Sequence, residues 1–154
     1  MIRSCMWVLF ISFLPLSCAS PNWISLFDGK TLQGWEPSEN KETWKVEDGA
    51  LVSKGPRSHL FYTGGVNNHN FKNFEFMAEV KTTPGSNSDI YFHIVVQGKT
   101  IRTYINGELM VDYTEPDNPF RPEDKKGRLL SSGTFALQGH DPKSVVYYKN
   151  INGL

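Results

Sequence analysis

Phe74-Glu75-Phe76-Met77-Ala78-Glu79-Val80-Lys81 places apolar and polar side chains on alternate positions along most of its length. Successive side chains of a β-strand point to opposite faces, so this spacing predicts a strand with one face against a core. Residues 90–96 repeat the pattern, with Ile90, Phe92, Ile94 and Val96 as the inward set. No window longer than ten residues has a helical stripe of apolar side chains. The sequence therefore predicts an all-β protein.

Two β-hairpins are predicted around turn dipeptides that readily adopt positive φ angles. The first joins residues 44–47 to 50–53 through Asp48-Gly49, and the second joins 101–105 to 108–113 through Asn106-Gly107. Further strands are expected at 134–140 and 145–151, and the polar stretch 116–126 is expected to be a solvated loop. Short strands separated by turns favour a β-sandwich or jelly roll.

Length and charge narrow the class of protein and of partner. The chain has 154 residues, and the part after residue 20 is the size of one domain. Sixteen basic and sixteen acidic residues give zero formal charge, which argues against a nucleic-acid or anionic-membrane surface. A neutral partner is the expectation.

The first twenty residues have the pattern of an export signal. Arg3 precedes the apolar run 6–14, which is too short to span a bilayer, and small residues follow. Either the chain is cleaved after Ala19 or Ser20, or Cys18 is lipidated and anchors it to a membrane. The protein is thus expected to be exported, periplasmic or extracellular. Both cysteines lie in this segment, so residues 21–154 are predicted to form one β-sandwich domain without a disulfide.

The alternation of side chains between the two faces of each strand, which we call strand parity, defines a candidate ligand face. If residues 74–81, 90–96 and 134–140 share a sheet, its non-core face carries six polar or aromatic side chains: Glu75, Glu79, Tyr91, His93, Gln138 and His140. Such a face either binds a polar ligand or is the ordinary wet side of an antiparallel sheet. Glu75 and Glu79 lie roughly 13 Å apart along one strand, which exceeds the roughly 5 to 9.5 Å between the two carboxylates of glycosidases. A second carboxylate would have to come from another strand or loop.

Other single residues have a structural and a functional interpretation. The four histidines lack a close metal-binding spacing, but a pair formed by His93 and His140 across adjacent strands would favour a metal site. Trp35 and Trp44 are expected in the core rather than in sugar stacking, and Asp28-Gly29 is expected to be a tight turn. Arg102 and Tyr104 share a strand face that is expected to be solvated.

Seven sets of residues along the chain have a distinctive sequence: 25–32 (SLFDGKTL), 44–49 (WKVEDG), 71–81, 86–88 (SNS) with 90–93 (IYFH), 97–99 with 104–107, 133–142 (GTFALQGHDP) and 146–151. Together they resemble the bacterial 3-keto-disaccharide hydrolase domain, also described as 3-keto-glucoside 1,2-lyase or 3-keto-2-hydroxy-glucal hydratase. The resemblance runs from about residue 23 to residue 154. It implies a concanavalin-A-like jelly roll that acts on a 3-keto-glycoside.

The chemistry implied by the resemblance is removal of a proton beside a ketone, which needs a base and a group that stabilises the enolate. Strand parity then assigns the base to Glu79 and the enolate donors, or the ligands of a divalent metal, to His93 and His140. The same parity assigns sugar binding to Glu75, Tyr91 and Gln138.

The sequence departs from the family pattern in its middle. In similar proteins several strands separate a segment like residues 90–93 from a segment like residues 93–99, whereas here the two segments share His93. In addition, Asp89 stands where a glycine is usual. We therefore expect a sandwich that lacks some central strands, through an internal deletion or a faulty gene model. Three interpretations follow: an enzyme, a non-catalytic carbohydrate-binding sandwich, or an inactive truncated member that exposes apolar surface.

Overall fold

The computed structural model describes residues 22–83 and 89–154 and consists almost wholly of β-strands and their connections. The predicted export signal with Cys18, and the Ser86-Asn87-Ser88 phrase, lie outside the described residues. Within the described ranges the only helices are three short 3₁₀ turns. None of the helices there is long and apolar enough to cross a membrane.

The described ranges contain eleven strands, numbered in chain order. They are β1 (Ile24–Ser25), β2 (Trp35–Pro37), β3 (Trp44–Glu47), β4 (Ala50–Ser53), β5 (Ser58–Tyr62), β6 (Phe74–Thr83), β7 (Ile90–Gln97), β8 (Thr100–Ile105), β9 (Glu108–Thr114), β10 (Ala136–Gly139) and β11 (Val145–Gly153).

The strands form two antiparallel sheets. The large sheet has the order β3-β4-β11-β6-β7-β8-β9, with β1 beside β11, and the small sheet has the order β10-β5-β2. The predicted all-β sandwich is confirmed.

The core lies between the small sheet and one face of the large sheet. Leu51, Leu60 and Ile151 are fully buried there, each of which stabilises the fold by about 1.5–3 kcal/mol relative to an exposed side chain. Trp35 and Trp44 are only 4% exposed, which confirms their core role and excludes them from sugar stacking. The Trp35 indole N–H donates to the Leu26 carbonyl over 2.8 Å.

The predicted turns form because their residues tolerate a left-handed backbone. Asp48 and Gly49 have φ angles of 49° and 72°, and Asn106 and Gly107 have 51° and 84°. Asp28 caps its own turn, since its carboxylate accepts the backbone N–H groups of Thr31 and Lys30 at 2.8 Å each. These bonds, that of Thr31 foremost, lower the pKa of Asp28. The tight-turn interpretation of Asp28-Gly29 is confirmed.

Parity along β6 and β7 follows the prediction. Phe76 and Ala78 are buried against the core, and cross-strand partners place Ile94 opposite Phe76 and Phe92 opposite Ala78. We call this the inner face of the large sheet. Glu75, Met77, Glu79 and Lys81 of β6 point to the opposite side, which we call the outer face.

The inner face is covered only in part. Every residue of β9 is exposed, including Leu109, Met110, Val111 and Tyr113, and no residue of β8 or β9 belongs to the buried core. The small sheet has three strands, whereas the seven-strand path of the large sheet continues past β7 to β9. The expected exposure of apolar surface is therefore found at this end of the sandwich.

Candidate functional site

A hollow of about 330 Å³ lies on the outer face and extends from the Asp48-Gly49 turn across β11 to β6. We call it the basin. It is lined by Glu47, Asp48, Glu79, Lys81, Tyr147 and Lys149, among others. This volume is at the lower end of the range for small-molecule sites, roughly 300 to 1,000 Å³.

Glu79 lies between two lysines in the basin. Lys149 of β11 is its direct cross-strand partner, and such partners have Cβ atoms roughly 4.5–5.5 Å apart. Lys81 is two residues further along β6 and therefore on the same face. Among the described residues, no cation lies within the 4.0 Å of an ion pair with the Glu79 carboxylate. The carboxylate thus combines nearby positive charge with freedom to accept a proton.

Glu47 is the second glutamate of the basin, and it is too far away to act as a glycosidase partner of Glu79. It forms an ion pair with Lys45 on its own strand. Two strands, β4 and β11, separate β3 from β6, so the two glutamate backbones are roughly 14 Å apart at 4.7–4.9 Å per strand. This distance excludes Glu47 as the partner carboxylate of Glu79, and Asp48 and Asp89 are the other two carboxylates that line the basin.

A second group of side chains lies beside the basin on the outer face, and we call it the histidine cluster. His93 Nε2 is 3.0 Å from the Glu75 carboxylate. The imidazole stacks on Tyr104 with centroids 5.3 Å apart and meets the edge of Trp23 at 5.9 Å. The side chain of His93 remains 23% exposed.

The basin and the histidine cluster are neighbours. Glu79 pairs with Tyr91 and Met77 pairs with His93 across β6 and β7, so Glu79 and His93 are diagonal neighbours on one face. Tyr91 is exposed between them, and its hydroxyl contacts the Met77 sulfur. The structure thus brings together Glu75, Glu79, Tyr91 and His93, as strand parity predicted.

Two predicted members of that face lie elsewhere. β10 pairs with β5 in the small sheet, where Gln138 is the cross-strand partner of His59. Leu137 and Gly139 are buried, so Gln138 points away from the core on the far side of the sandwich, and His140 follows it in an exposed loop. The expectation that Gln138 and His140 share a face with Glu79 is wrong, because parity assigns a side chain to a face but not a strand to a sheet.

The predicted His93–His140 metal pair fails for the same reason, since β7 has only β6 and β8 as neighbours. Over residues 22–83 and 89–154, no group of three or more His, Cys, Asp and Glu side chains is arranged to hold a metal ion. Arg102 and Tyr104 do share the outer face, where the Arg102 guanidinium donates to Asp112 over 3.1 Å.

Sequence reasoning missed several contributors to the two sites, among them Lys149, Tyr147, Trp23 and the basin roles of Lys81 and Asp89. Tyr147 and Lys149 are two residues apart on the predicted strand 145–151, so the sequence does predict that they share one face of it. Their position beside Glu79 depends on the pairing of β11 with β6, which joins segments far apart in the chain. Trp23 precedes the first strand and carried no periodic signal.

A family model, the 3-keto-alpha-glucoside-1,2-lyase-like domain, matches the chain over residues 22–95 and again over residues 92–152. The two matches overlap at residues 92–95 in β7, where the sequence predicted a junction on His93. A 3-keto-disaccharide hydrolase of Bacteroides thetaiotaomicron is 28% identical over 129 residues, covering 75% of this chain. The match covers 44% of that relative's own length.

Two solved structures from Parabacteroides distasonis ATCC 8503, each provisionally described as a glycosyl hydrolase, share the fold. One has a TM-score of 0.66 at 15% identity and covers 85% of this chain and 92% of its own. The other has a TM-score of 0.62 at 17% identity, with 86% and 98% covered. At these identities the likeness concerns the fold, and it agrees with the sandwich described above.

Proposed function

Because the chain belongs to the 3-keto-alpha-glucoside-1,2-lyase-like domain family, we propose that it binds a 3-keto-glycoside in the basin and eliminates the C1 substituent. The observation that supports this proposal best is Glu79, whose carboxylate lies beside Lys81 and Lys149 and forms no ion pair with any residue that the structure describes. The reaction requires a base and positive charge at the same place, and the basin provides both.

The chemistry starts at the ketone. A carbonyl at C3 acidifies the proton on C2, and a general base within hydrogen-bond reach can remove it. Glu79 is the base in this proposal. Its side chain lines the basin, so a sugar ring lying there can present its C2 proton.

The negative charge that develops on the C3 oxygen needs stabilisation before the C1 substituent leaves. Fixed positive charge aimed at a developing oxyanion is among the largest contributions to catalysis. Lys81 and Lys149 supply two ammonium groups that flank Glu79, on the same strand and on the next strand. Water can later add to the resulting glucal.

The aromatic residues of the basin position the sugar. Tyr147 lines the hollow and Tyr91 is exposed at the border between the basin and the histidine cluster. Tyrosine offers an apolar ring face and a hydroxyl, which suits the mixed surface of a sugar. Gln138 and His140 have no part in the proposed site, because they lie in and beyond the small sheet.

Export belongs to the proposal as well. A signal at residues 1–20 would deliver the sandwich to the periplasm or outside the cell, and Cys18 would add a lipid anchor if it is modified. The mass of the protein purified from its own host distinguishes a chain that starts at Cys18 with a lipid from one cleaved after Ala19 or Ser20. A mass that retains residues 1–20 would contradict export by this signal.

A second function, sugar binding without chemistry, is favoured by the junction in β7. The family model matches in two pieces there, and among the described residues β8 and β9 contribute nothing to the buried core. A chain that has lost strands can retain the basin while losing groups needed for turnover. In that case the protein binds 3-keto-glycosides and releases no product.

The test compares product release from a 3-keto-disaccharide by the purified protein, its Glu79→Gln variant and a Glu36→Gln control. Glu36 is exposed on the small sheet, so the control makes the same change of charge away from the basin. We expect a loss of about 10²- to 10⁴-fold for Glu79→Gln and none for the control. Binding without turnover by the unmodified protein would favour the second function, and an active Glu79→Gln variant would remove Glu79 from the proposed role.

A further inference from the structure

The imidazole of His93 is held on three sides on the outer face. Glu75 contacts Nε2 at 3.0 Å, Tyr104 stacks against one ring face, and Trp23 meets the ring at an angle of 74°. A histidine held through one nitrogen by a carboxylate is fixed in its orientation. Nδ1 is the nitrogen that remains for a ligand.

We infer that His93 is the general acid that protonates the departing C1 oxygen, and that Glu75 is the residue that positions it. The inference rests on the proposed function, since it concerns the same elimination. It also gives a role to a carboxylate, Glu75, that removal of the C2 proton does not require.

The two groups are spaced so that one can reach the C2 proton while the other reaches the oxygen bonded to C1. Glu79 and His93 are diagonal neighbours on adjacent strands, for which Cβ atoms are up to roughly 7–8 Å apart. Acid and base groups that flank a glycosidic bond lie roughly 5 to 9.5 Å apart in enzymes that cleave it. With the keto sugar in the basin, the C1 substituent extends over Tyr91 toward His93.

The elimination needs no reactant beyond the substrate, Glu79 and His93. Glu79 takes the C2 proton, and the electron pair of the C2–H bond enters the enolate. The enolate then re-forms the C3 ketone, a C1–C2 double bond forms, and the bond from C1 to the leaving oxygen breaks. The leaving oxygen receives its proton from Nδ1 of His93. Transfer of a proton from Glu79 to His93 through water restores both groups.

A general acid matters most when the leaving group is a poor one. A sugar hydroxyl leaves as a strongly basic alkoxide unless it is protonated, whereas 4-nitrophenolate leaves readily without a proton. Loss of His93 should therefore affect a 3-keto-disaccharide and spare a 4-nitrophenyl 3-keto-glucoside. A histidine that only supports the sheet would affect both substrates equally.

The experiment measures kcat for both substrates with the unmodified protein, His93→Gln, Glu75→Gln and a His59→Gln control on the small sheet. We expect His93→Gln to lose about 10²- to 10⁴-fold on the disaccharide and less than about fivefold on the nitrophenyl substrate. Glu75→Gln should show the same selectivity with a smaller loss, and His59→Gln should match the unmodified protein on both.

The nitrophenyl activity also reports that each variant is folded. Equal losses on the two substrates for His93→Gln, or no loss on either, would overturn the inference and leave the role of Glu79 intact. Absence of turnover by the unmodified protein on both substrates would instead contradict the proposed function itself.

Discussion

Replacement of Lys149 by methionine removes one of the two positive charges beside Glu79 while keeping a side chain of similar length. Lys149 is exposed at the rim of the basin and is the cross-strand partner of Glu79. If its ammonium group stabilises the enolate oxygen, the variant should bind the sugar and eliminate it more slowly.

The size of the effect follows from Coulomb's law. Two unit charges about 5 Å apart interact by about 0.8 kcal/mol in bulk water and by about 3 kcal/mol at an effective dielectric constant of 20. The basin is an open hollow rather than a closed cavity, which places the expected loss at about 1–2 kcal/mol. A loss of that size is about 5- to 30-fold in kcat/KM.

The assay is kcat/KM on a 3-keto-disaccharide, with Lys149→Arg and Lys72→Met as controls. Arginine keeps the charge and should stay within about threefold of the unmodified protein. Lys72 is exposed in the loop before β6, away from the basin, so its replacement should have no effect. A Lys149→Met variant with unchanged kcat/KM, or an equal loss in Lys149→Arg, would refute the electrostatic role.

Three further predictions concern the sandwich. A Cβ atom at Gly139 would lie 2.1 Å from the Ser53 hydroxyl, so Gly139→Ala should cost about 1–3 kcal/mol in thermal unfolding, and Ser53→Ala should restore part of it. Glu115 is buried, and its carboxylate accepts hydrogen bonds from the Arg121 guanidinium at 2.7 Å and from the Leu130 backbone N–H at 3.1 Å. Because these bonds hold the loop, Glu115→Ala should speed proteolysis within residues 116–130. An unchanged cleavage rate would contradict this prediction. Val111 is exposed on β9, so Val111→Thr should reduce binding of a hydrophobic dye without lowering the unfolding temperature. Unchanged dye binding would show that the inner face of β9 is covered in solution.

Local features of the fold were predictable because they depend on neighbouring residues. The hairpin of β3 and β4 has its predicted bounds, since Asp48-Gly49 sets both the turn and the register. The faces of β6 and β7 were predictable because side chains alternate along a strand. Since Phe76 and Ala78 face the core, the residues next to them in the sequence must point to the outer face. The loop at 116–126 is mostly exposed, as its composition indicated.

Sheet membership was not predictable, and the site depended on it. Gln138 and His140 have the expected parity, but β10 joins β5, which had no clear strand signal of its own. Lys149 was on a predicted strand, and only the pairing of β11 with β6 shows that it faces Glu79. Such pairings join residues far apart in the chain, and alternation within one strand carries no information about them.

The role of Glu79 as the base is tested most directly by proton exchange at C2 in a sugar that lacks the departing C1 substituent. A 3-keto-1,5-anhydroglucitol has no exocyclic substituent at C1 to expel, so in D₂O removal of the C2 proton is seen as exchange at C2, which NMR follows. The unmodified protein should exchange the C2 proton about 10²- to 10⁴-fold faster than Glu79→Gln does, while the C4 proton exchanges at the background rate. Exchange at C2 that is no faster than background, or that is equally fast in Glu79→Gln, would contradict the central role of Glu79 in the basin.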